Sequence, residues 1–300
     1  MRLNNLRLAD KRVFDRYLKL ARHDLAVYAF ANIYIWRKFF AIRWQLIEGC
    51  LCVFFQDRIG SFLYLAPLGR EKNPALVAEV FHILDELNKN PEFAHIENVE
   101  EQDLGFYKEL GFDCNFKSYD YLCRASSLAG LTGDRLKSKR ASCNYFTKHY
   151  DFTFEQLDLK ERDACLRLYD LWQGQRAPVS PDPLYQGMLR DSRLSLREAL
   201  ANYRPLGFEG RVVKIDQKVK GFTFGFELNS ETFCILYEIT DLAVKGLAQY
   251  IFRAFAQELK DYKYINIMDD SGLENLKKVK LSYHPEKLVP AYIVRRRLNE

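Results

Sequence analysis

The sequence predicts an α/β protein that contains the same structural unit twice. The chain has 300 residues, of which 48% are hydrophobic and 28% are charged, which is the composition of a folded protein with room for two domains. A strand meander followed by a helix, a strand and a helix occurs in the first half of the chain and again in the second. Helices that follow strands cover the faces of the sheet, so this repeated order indicates a duplicated α/β unit.

The first half begins with a helix and continues with a meander. Apolar residues recur at helical spacing over residues 14–21 and predict the first helix. Pro74 suits the first position of a later helix, and a strand near 94–99 and a helix near 102–110 follow it. Aromatic and β-branched runs between turn residues predict the strands of the meander, at residues 42–48, 50–56 and 61–66.

The second half has the same order of elements. The mostly apolar strand at residues 232–239 is expected to lie in the centre of its sheet. A basic helix over residues 134–150 and a helical insert over about 158–202 separate the two halves. The elements of the second half are a hairpin of residues 211–216 and 219–228, the strand at 232–239, a helix at 245–259, a strand at 262–267 and a helix at 273–281.

The net charge and the cysteines limit which kinds of partner, compartment and site are expected for this protein. The net charge of +5 permits an anionic partner such as nucleic acid, a phosphorylated cofactor or a lipid head group, without requiring one. The seven scattered cysteines favour free thiols in a reducing compartment, so the cytoplasm is the expected location. Cys50 and Cys52 have no second pair at zinc spacing, and no metal site is predicted. The longest uncharged run, residues 25–36, is shorter than the ~20 residues that span a bilayer, so no integral membrane segment is predicted.

Two pairs of motifs resemble known families. Residues 105–112, GFYKELGF, resemble the last helix and following strand of the Gcn5-related N-acetyltransferase (GNAT) fold, and residues 276–283, LKKVKLSY, correspond to them. The chain resembles one family more specifically. This is the family of unknown function that shares its fold with the C-terminal domain of phosphatidylglycerol lysyltransferase. The matching residues are Tyr119-Asp-Tyr-Leu, Gly133, Lys139-Arg140, Asn144 and Phe146, and later Asn266, Asp270, Gly272, Leu276, Lys280, Ser282-Tyr283 and Pro285.

This resemblance covers nearly the whole chain and implies an α/β (α+β) fold of two tandem GNAT-like domains. Each domain is expected to be a mixed, mostly antiparallel sheet flanked by helices. The implied boundaries are residues 1–132 for the N-terminal domain, 133–150 for a connecting basic helix, and 151–300 for the C-terminal domain with the helical insert 158–202.

The resemblance also implies a function. By extension it predicts transfer of an activated acyl or aminoacyl group from acyl-CoA or aminoacyl-tRNA to an amine or hydroxyl acceptor, with possible peripheral contact to an anionic membrane. Ala141, Ile267 and Met268 stand where the family usually carries polar residues. These departures favour the alternative, a catalytically degenerate GNAT-like module that binds an anionic ligand or RNA.

The basic helix supplies the first group of candidate residues. An apolar stripe contains Lys139 and is formed by Leu136, Cys143, Phe146 and Tyr150. Cations at a helix start oppose the helix dipole unless an anion compensates them. A solvated lysine face is the alternative. With the resemblance, Lys139, Arg140 and Asn144 are predicted to bind donor phosphates.

The second group follows the strand that ends near Ile267, where α/β sheets usually place their ligands. Lys280 follows Leu273 and Leu276 at helical spacing and is expected to point inward. Alternatively, the Asp270–Gly272 segment has a structural role, in which Ser271 or Asp270 is an ordinary helix N-cap and Gly272 is a turn residue. The predicted roles in this group are catalysis for Asp270, donor binding for Lys277 and Lys280, and substrate binding for Asn266, Ser282 and Tyr283.

Glu238, at the end of the predicted central strand, is the third candidate. A carboxylate there can take a proton from an attacking amine, and burial would raise its pKa toward that role. The alternative to this catalytic role is that Glu238 is a strand-end residue paired with a lysine. Gly246, in a loop that only partly matches the GNAT cofactor loop, is a further candidate for donor binding. The five histidines are dispersed and predict no catalytic triad.

Overall fold

The computed structural model describes residues 3–179 and 182–297, and these residues form twelve strands and ten α-helices. The strands are β1 (Asn4–Asn5), β2 (Ala41–Ile47), β3 (Cys50–Gln56), β4 (Ser61–Leu63), β5 (His95–Glu100), β6 (Phe112–Arg124), β7 (Thr153–Gln156), β8 (Glu209–Ile215), β9 (Lys218–Asn229), β10 (Thr232–Thr240), β11 (Tyr264–Asn266) and β12 (Lys287–Arg296). The helices are α1 (Lys11–Leu18), α2 (Phe30–Tyr34), α3 (Pro74–Leu87), α4 (Leu104–Glu109), α5 (Ala125–Gly130), α6 (Lys137–His149), α7 (Arg162–Arg176), α8 (Pro183–Ala201), α9 (Leu247–Glu258) and α10 (Glu274–Leu281).

The chain divides into two compact units. Unit 1 contains the described residues of 1–120, 269–273 and 288–300, and unit 2 contains those of 121–268 and 274–287. The ends of the predicted domains, and residues 180 and 181 of the predicted insert, lie outside the described residues. No helix of the described part of the chain has the length and apolar character needed to cross a bilayer.

Unit 1 is built on a mostly antiparallel sheet with the strand order β1-β2-β3-β4-β5-β12. Its neighbouring strands are antiparallel except β4 and β5, which run parallel. Asn73 caps α3 through a hydrogen bond from the Ala75 N–H, and Pro74 holds the first helical position, as predicted. The apolar face of α3, which includes Val80 and Leu84, packs on the sheet and forms the core of this unit.

Unit 2 repeats this plan, with the strand order β6-β11-β10-β9-β8-β7, in which only residues 121–124 of β6 belong to this unit. Again one pair, β10 and β11, is parallel, whereas the other described pairs are antiparallel. Phe252 and Phe255 of α9 pack on Phe233 and Ile265 of the two parallel strands, and α5 and α6 complete this core. The predicted central position of the strand at 232–239 is confirmed, since β10 lies between β9 and β11.

The predicted elements are found with small shifts at their ends, whereas the strands β1, β7 and β12 and the helices α2 and α5 were not predicted. The hairpin turn lies at Asp216 and Gln217, both left-handed, one residue before the predicted turn. β12 was not predicted, and Pro290 within it explains why, because proline weakens any strand pattern.

The two compact units also differ from the predicted domain boundaries. Residues 121–150 pack within unit 2, and residues 288–297 return to unit 1 because β12 pairs with β5. The boundaries of the duplicated halves along the chain stay a prediction.

Candidate active site

The candidate site in unit 2 begins where β10 loses its parallel neighbour. β10 and β11 pair only from Thr232–Tyr264 to Cys234–Asn266, and β10 then continues for six residues. A register shift between Ile235 and Tyr237 adds an extra residue against β9. Along this part of β10 the described pairing is with β9 alone, so the backbone groups of its other edge are not paired with a described strand.

Glu238 lies in this open part of β10. Its Oε2 is inaccessible to solvent and has no hydrogen-bond partner among the described residues. Burial raises the pKa of Glu238 to about 8, because a carboxylate without partners is poorly solvated there. The predicted raised pKa is therefore found, and the ion pair considered as its alternative role is not present among the described residues.

A second polar group without a partner lies beside Glu238. Thr223 of β9 is directly opposite Glu238, and opposite residues of an antiparallel pair share one face of the sheet. The Thr223 Oγ1 is also buried without a hydrogen-bond partner in the described chain. Two such neighbours on one face are unusual in a native core and are typical of a site that receives a polar ligand. No pattern in the sequence pointed to Thr223.

Lys139 and Tyr283 lie in the same unit and contact each other. The Lys139 Nζ lies 4.3 Å from the centre of the Tyr283 ring, a cation–π contact. Burial lowers the pKa of Lys139, and the predicted stripe explains that burial, since Leu136, Cys143 and Phe146 of the same face are all buried. Burial, followed by the charge of Glu238, raises the pKa of Tyr283. Tyr283 is therefore electrostatically coupled to Glu238 and in direct contact with Lys139.

Lys280 points inward, but its ammonium group contacts backbone. It donates hydrogen bonds to the carbonyl oxygens of Ile267 and Met268, the latter at 3.1 Å, and lies 5.8 Å from the centre of the Tyr121 ring. Asn266 accepts a hydrogen bond from the Met268 N–H at 2.6 Å through its Oδ1. Both side chains thus hold the turn after β11, in which Met268 has a left-handed φ of 60°.

Arg140 also contacts backbone. Its guanidinium donates to the carbonyl oxygens of Leu131 and Gly133, the latter at 2.7 Å, and so fixes the segment that precedes α6. Asn144 is exposed on α6, and only its backbone carbonyl makes a described hydrogen bond, from Thr147. A structural role in holding this backbone segment can therefore explain why the family motif has an arginine at position 140.

The remaining candidates after β11 are divided between the units. Asp270 belongs to unit 1, where its Oδ1 accepts a hydrogen bond from the Gly272 N–H at 3.0 Å, as an ordinary turn residue does. Lys277 is exposed on α10 in unit 2. The Ser282 hydroxyl donates to the Val279 carbonyl oxygen at 2.6 Å.

The loop before α9 is closed by its own contacts. Gly246 has a φ of +84°, and a Cβ there would collide with the Ser142 carbonyl oxygen of α6. The Leu242 N–H donates to Gln175 and the Ala243 N–H to Asp241, at 3.1 and 3.0 Å. These two N–H groups therefore already have partners, and the close approach of α6 explains why residue 246 is a glycine.

Comparison with known proteins adds the family. A family model described as "Phosphatidylglycerol lysyltransferase, C-terminal" matches residues 19–295. No functionally curated protein matches the sequence.

Three solved structures illustrate the likeness of the fold. A conserved protein of unknown function from Bacteroides thetaiotaomicron is 24% identical, with a TM-score of 0.87 over 98% of this chain and 99% of that one. L-PGS from Bacillus licheniformis is 15% identical, with a TM-score of 0.65 over 97% and 93%. A tandem GNAT protein from the clavulanic acid biosynthesis pathway is 9% identical, with a TM-score of 0.51 over 100% and 99%.

These likenesses show the fold. The predicted tandem GNAT-like architecture and the predicted family resemblance are both confirmed. Because the family match spans nearly the whole chain, the protein belongs to the family of phosphatidylglycerol lysyltransferase C-terminal domains.

Proposed function

We propose that the protein transfers an activated acyl or aminoacyl group from a phosphate-bearing donor to an amine or hydroxyl acceptor in unit 2. Its fold is of the acyl and aminoacyl transferase type. Glu238 accepts the proton of the attacking group, the bond from the acyl carbon to the donor breaks, and the leaving oxygen or sulfur takes a proton from solvent. Proximity of donor and acceptor provides most of the rate, since the donor is already activated.

The carboxylate of Glu238, a half-buried residue whose Oε2 is inaccessible to solvent, is the observation that carries this proposal. Its pKa of about 8 is matched to removing a proton from an amine near neutral pH. It lies in the part of β10 that continues beyond the pairing with β11, and an acceptor would have to reach it from this side of the strand. Lys139 is the candidate for donor contact, because its ammonium is partly desolvated and so interacts strongly with an anion.

The surface of the basic helix favours aminoacyl-tRNA over acyl-CoA as the donor. The partial match to the GNAT cofactor loop depends on Gly246, and the close approach of α6 explains this glycine without a cofactor. The exposed cations of the basic helix, among them Lys137 and Lys148, instead offer contacts to a nucleic acid backbone. Asp270, Arg140, Asn144, Lys277, Lys280, Gly246, Asn266 and Ser282 keep their predicted roles only as proposals.

Transfer from radiolabelled aminoacyl-tRNA and from acyl-CoA to a panel of amines and lipids tests the proposal. Glu238→Gln is expected to lower the transfer rate by about 10²- to 10⁴-fold. The matched control is Glu209→Gln, because Glu209 is exposed on β8. The wild-type rate should rise with pH and level off above a pKa near 8, because only the carboxylate accepts a proton. An active Glu238→Gln variant, or a rate that falls over this range, would reject Glu238 as the base.

A module that binds RNA or another anion without turnover is the second candidate function. The use of Arg140 and Lys280 to hold backbone carbonyls favours it, because these motif residues then need no donor to explain them. Salt-sensitive RNA binding, with no transfer from any donor, would support this alternative over the first. In that case Glu238→Gln should leave RNA affinity unchanged.

A further inference from the structure

Unit 1 contains a cavity that has no counterpart among the sequence predictions. It has a volume of about 200 Å³ and lies beside the segment that joins β4 to α3. A second cavity of about 550 Å³ adjoins it, and Tyr17, Leu20, Arg70, Glu71 and Lys72 line both. A space of this size holds a small organic molecule.

The carboxylate of Glu100 lies in the wall of the smaller cavity. Glu100 is 8% exposed and is the last residue of β5, the strand that runs parallel to β4. The His23 Nδ1 lies 2.8 Å from Oε2, and the Gln102 side chain donates to the same oxygen at 3.1 Å. Both described hydrogen bonds of the carboxylate thus end on Oε2, and Oε1 is not among the described polar atoms that are buried without a partner, so Oε1 is the oxygen left for a ligand. A buried carboxylate that keeps one oxygen for the cavity is ready to accept from a ligand.

Glu100 is held firmly in this position. The His23 ring stacks on the Tyr28 ring, with the ring centres 4.1 Å apart, and the Tyr28 hydroxyl donates to the Asn98 carbonyl oxygen at 2.8 Å. Tyr28 and His23 are both buried. The side chains behind the carboxylate are therefore fixed before any ligand arrives, which reduces the entropy lost on binding.

The rest of the wall suits a cation. Asp103 and Glu71 bring the carboxylates of the wall to three, against the cations Arg70 and Lys72, and Tyr17, Phe106 and Tyr107 add aromatic rings. The protein's own ammonium group shows how such a wall is used, since the Lys72 Nζ lies 2.7 Å from Asp103 and 5.7 Å from the centre of the Phe106 ring. Carboxylates combined with aromatic faces attract ammonium groups. Because these carboxylates outnumber Arg70 and Lys72, and Lys72 is already paired with Asp103, the wall favours a cation over an anion.

We propose that this cavity binds a small aliphatic ammonium compound whose charged nitrogen donates to Glu100 Oε1 within the aromatic wall. Lys72, whose side chain is 47% exposed, is the internal competitor that the ligand moves aside from Asp103. The site lies wholly in unit 1 and does not depend on the transferase proposed for unit 2.

Isothermal titration calorimetry of the full chain with cadaverine tests this proposal, with 1,5-pentanediol as the uncharged probe of equal length. Cadaverine should bind at one saturable site, and pentanediol should not bind. Glu100→Gln should weaken cadaverine binding at least tenfold, because a neutral amide replaces the charged acceptor. Glu79→Gln, an equal loss of charge on the exposed face of α3, should change the affinity less than twofold.

Lys72→Met provides a second test of opposite sign, at an exposed position where folding is not at risk. Removing the competing ammonium should tighten cadaverine binding about three- to tenfold. No binding of cadaverine to the wild type, an unchanged affinity in a folded Glu100→Gln variant, or weaker binding by Lys72→Met would overturn the proposal. Glu238→Gln should bind cadaverine as the wild type does. Loss of transferase activity in this variant would therefore test the proposal for unit 2 without affecting the test of the unit 1 cavity.

Discussion

Individual buried polar residues carry most of the functional information in this chain. Glu238 and Glu100 are both carboxylates at or near the ends of strands that belong to a parallel pair, one in each unit. Glu238 has an oxygen with no partner in the described residues, whereas Glu100 keeps one oxygen for a cavity. Such groups reduce stability and persist where a ligand or a reaction uses them.

The pKa of Glu238 makes a prediction about stability. The folded protein holds a proton on this carboxyl group up to about pH 8, whereas the unfolded chain loses it above its ordinary value of 4.5. The native state then binds more protons between these values, so its stability falls as the pH rises through this window. Glu238→Gln, which cannot ionise, should match the wild type near pH 4.5 and exceed it at pH 8.5 by about 2–4 kcal/mol.

Urea unfolding of both proteins at the two pH values measures this difference. Glu209→Gln serves as the control and should show no such pH-dependent gain. A Glu238→Gln variant that is less stable than the wild type at pH 8.5 would mean that the carboxylate has stabilising partners.

Between elements, the most specific contact is the approach of α6 to the start of α9. Gly246 has a left-handed φ and no room for a Cβ against the Ser142 carbonyl oxygen. Gly207 has a similar φ of +75°, yet no atom lies within 4 Å of the position of its Cβ. A Cβ at residue 207 would therefore add backbone strain alone, whereas a Cβ at residue 246 would add the same strain and a collision with α6.

Gly246→Ala should lower the free energy of unfolding by roughly 2–4 kcal/mol, because α6 must move as well as the backbone strain. Gly207→Ala should cost only about 1 kcal/mol, from the left-handed backbone alone. Chemical denaturation monitored by circular dichroism gives both values. Equal losses would show that α6 does not constrain Gly246.

Elements were easier to predict from the sequence than contacts. The apolar stripe of α6 and the central strand β10 follow from periodicity, because burial of a stripe or a strand is a local property of the pattern. The partners of Arg140 and Lys280 do not, since a long cation can bind a ligand or a carbonyl at the same position. His23 and Glu100 are 77 residues apart, and only the fold brings them to one cavity.

At the scale of the whole molecule, the chain crosses between the two units more than once. Residues 269–273 and 288–297 belong with the N-terminal 120 residues, and β12 pairs with β5. Ala291 and Val294 of β12 are 3% and 0% exposed, so this strand completes the core of unit 1. The sequence hid this crossing because the motifs repeat in order along the chain.

A chain that ends at residue 287 should therefore lose structure in unit 1. Hydrogen exchange is expected to show at least tenfold less protection for amides of β5, which becomes an edge, and for the neighbouring core strands. Amides of α9 and β10 should keep their protection. A control chain that ends at residue 297 should behave as the full chain, and undiminished protection of β5 in the shorter chain would contradict the role assigned to β12.

The pairing of β12 with β5 also sets an order of events during protein synthesis. Residues 1–120 emerge from the ribosome first but lack their last strand until residue 296 has been translated. At about 5–20 residues per second, this wait lasts roughly 10–35 seconds. During that interval β5 is an uncovered edge, and a nascent chain in this condition is a natural client for chaperones.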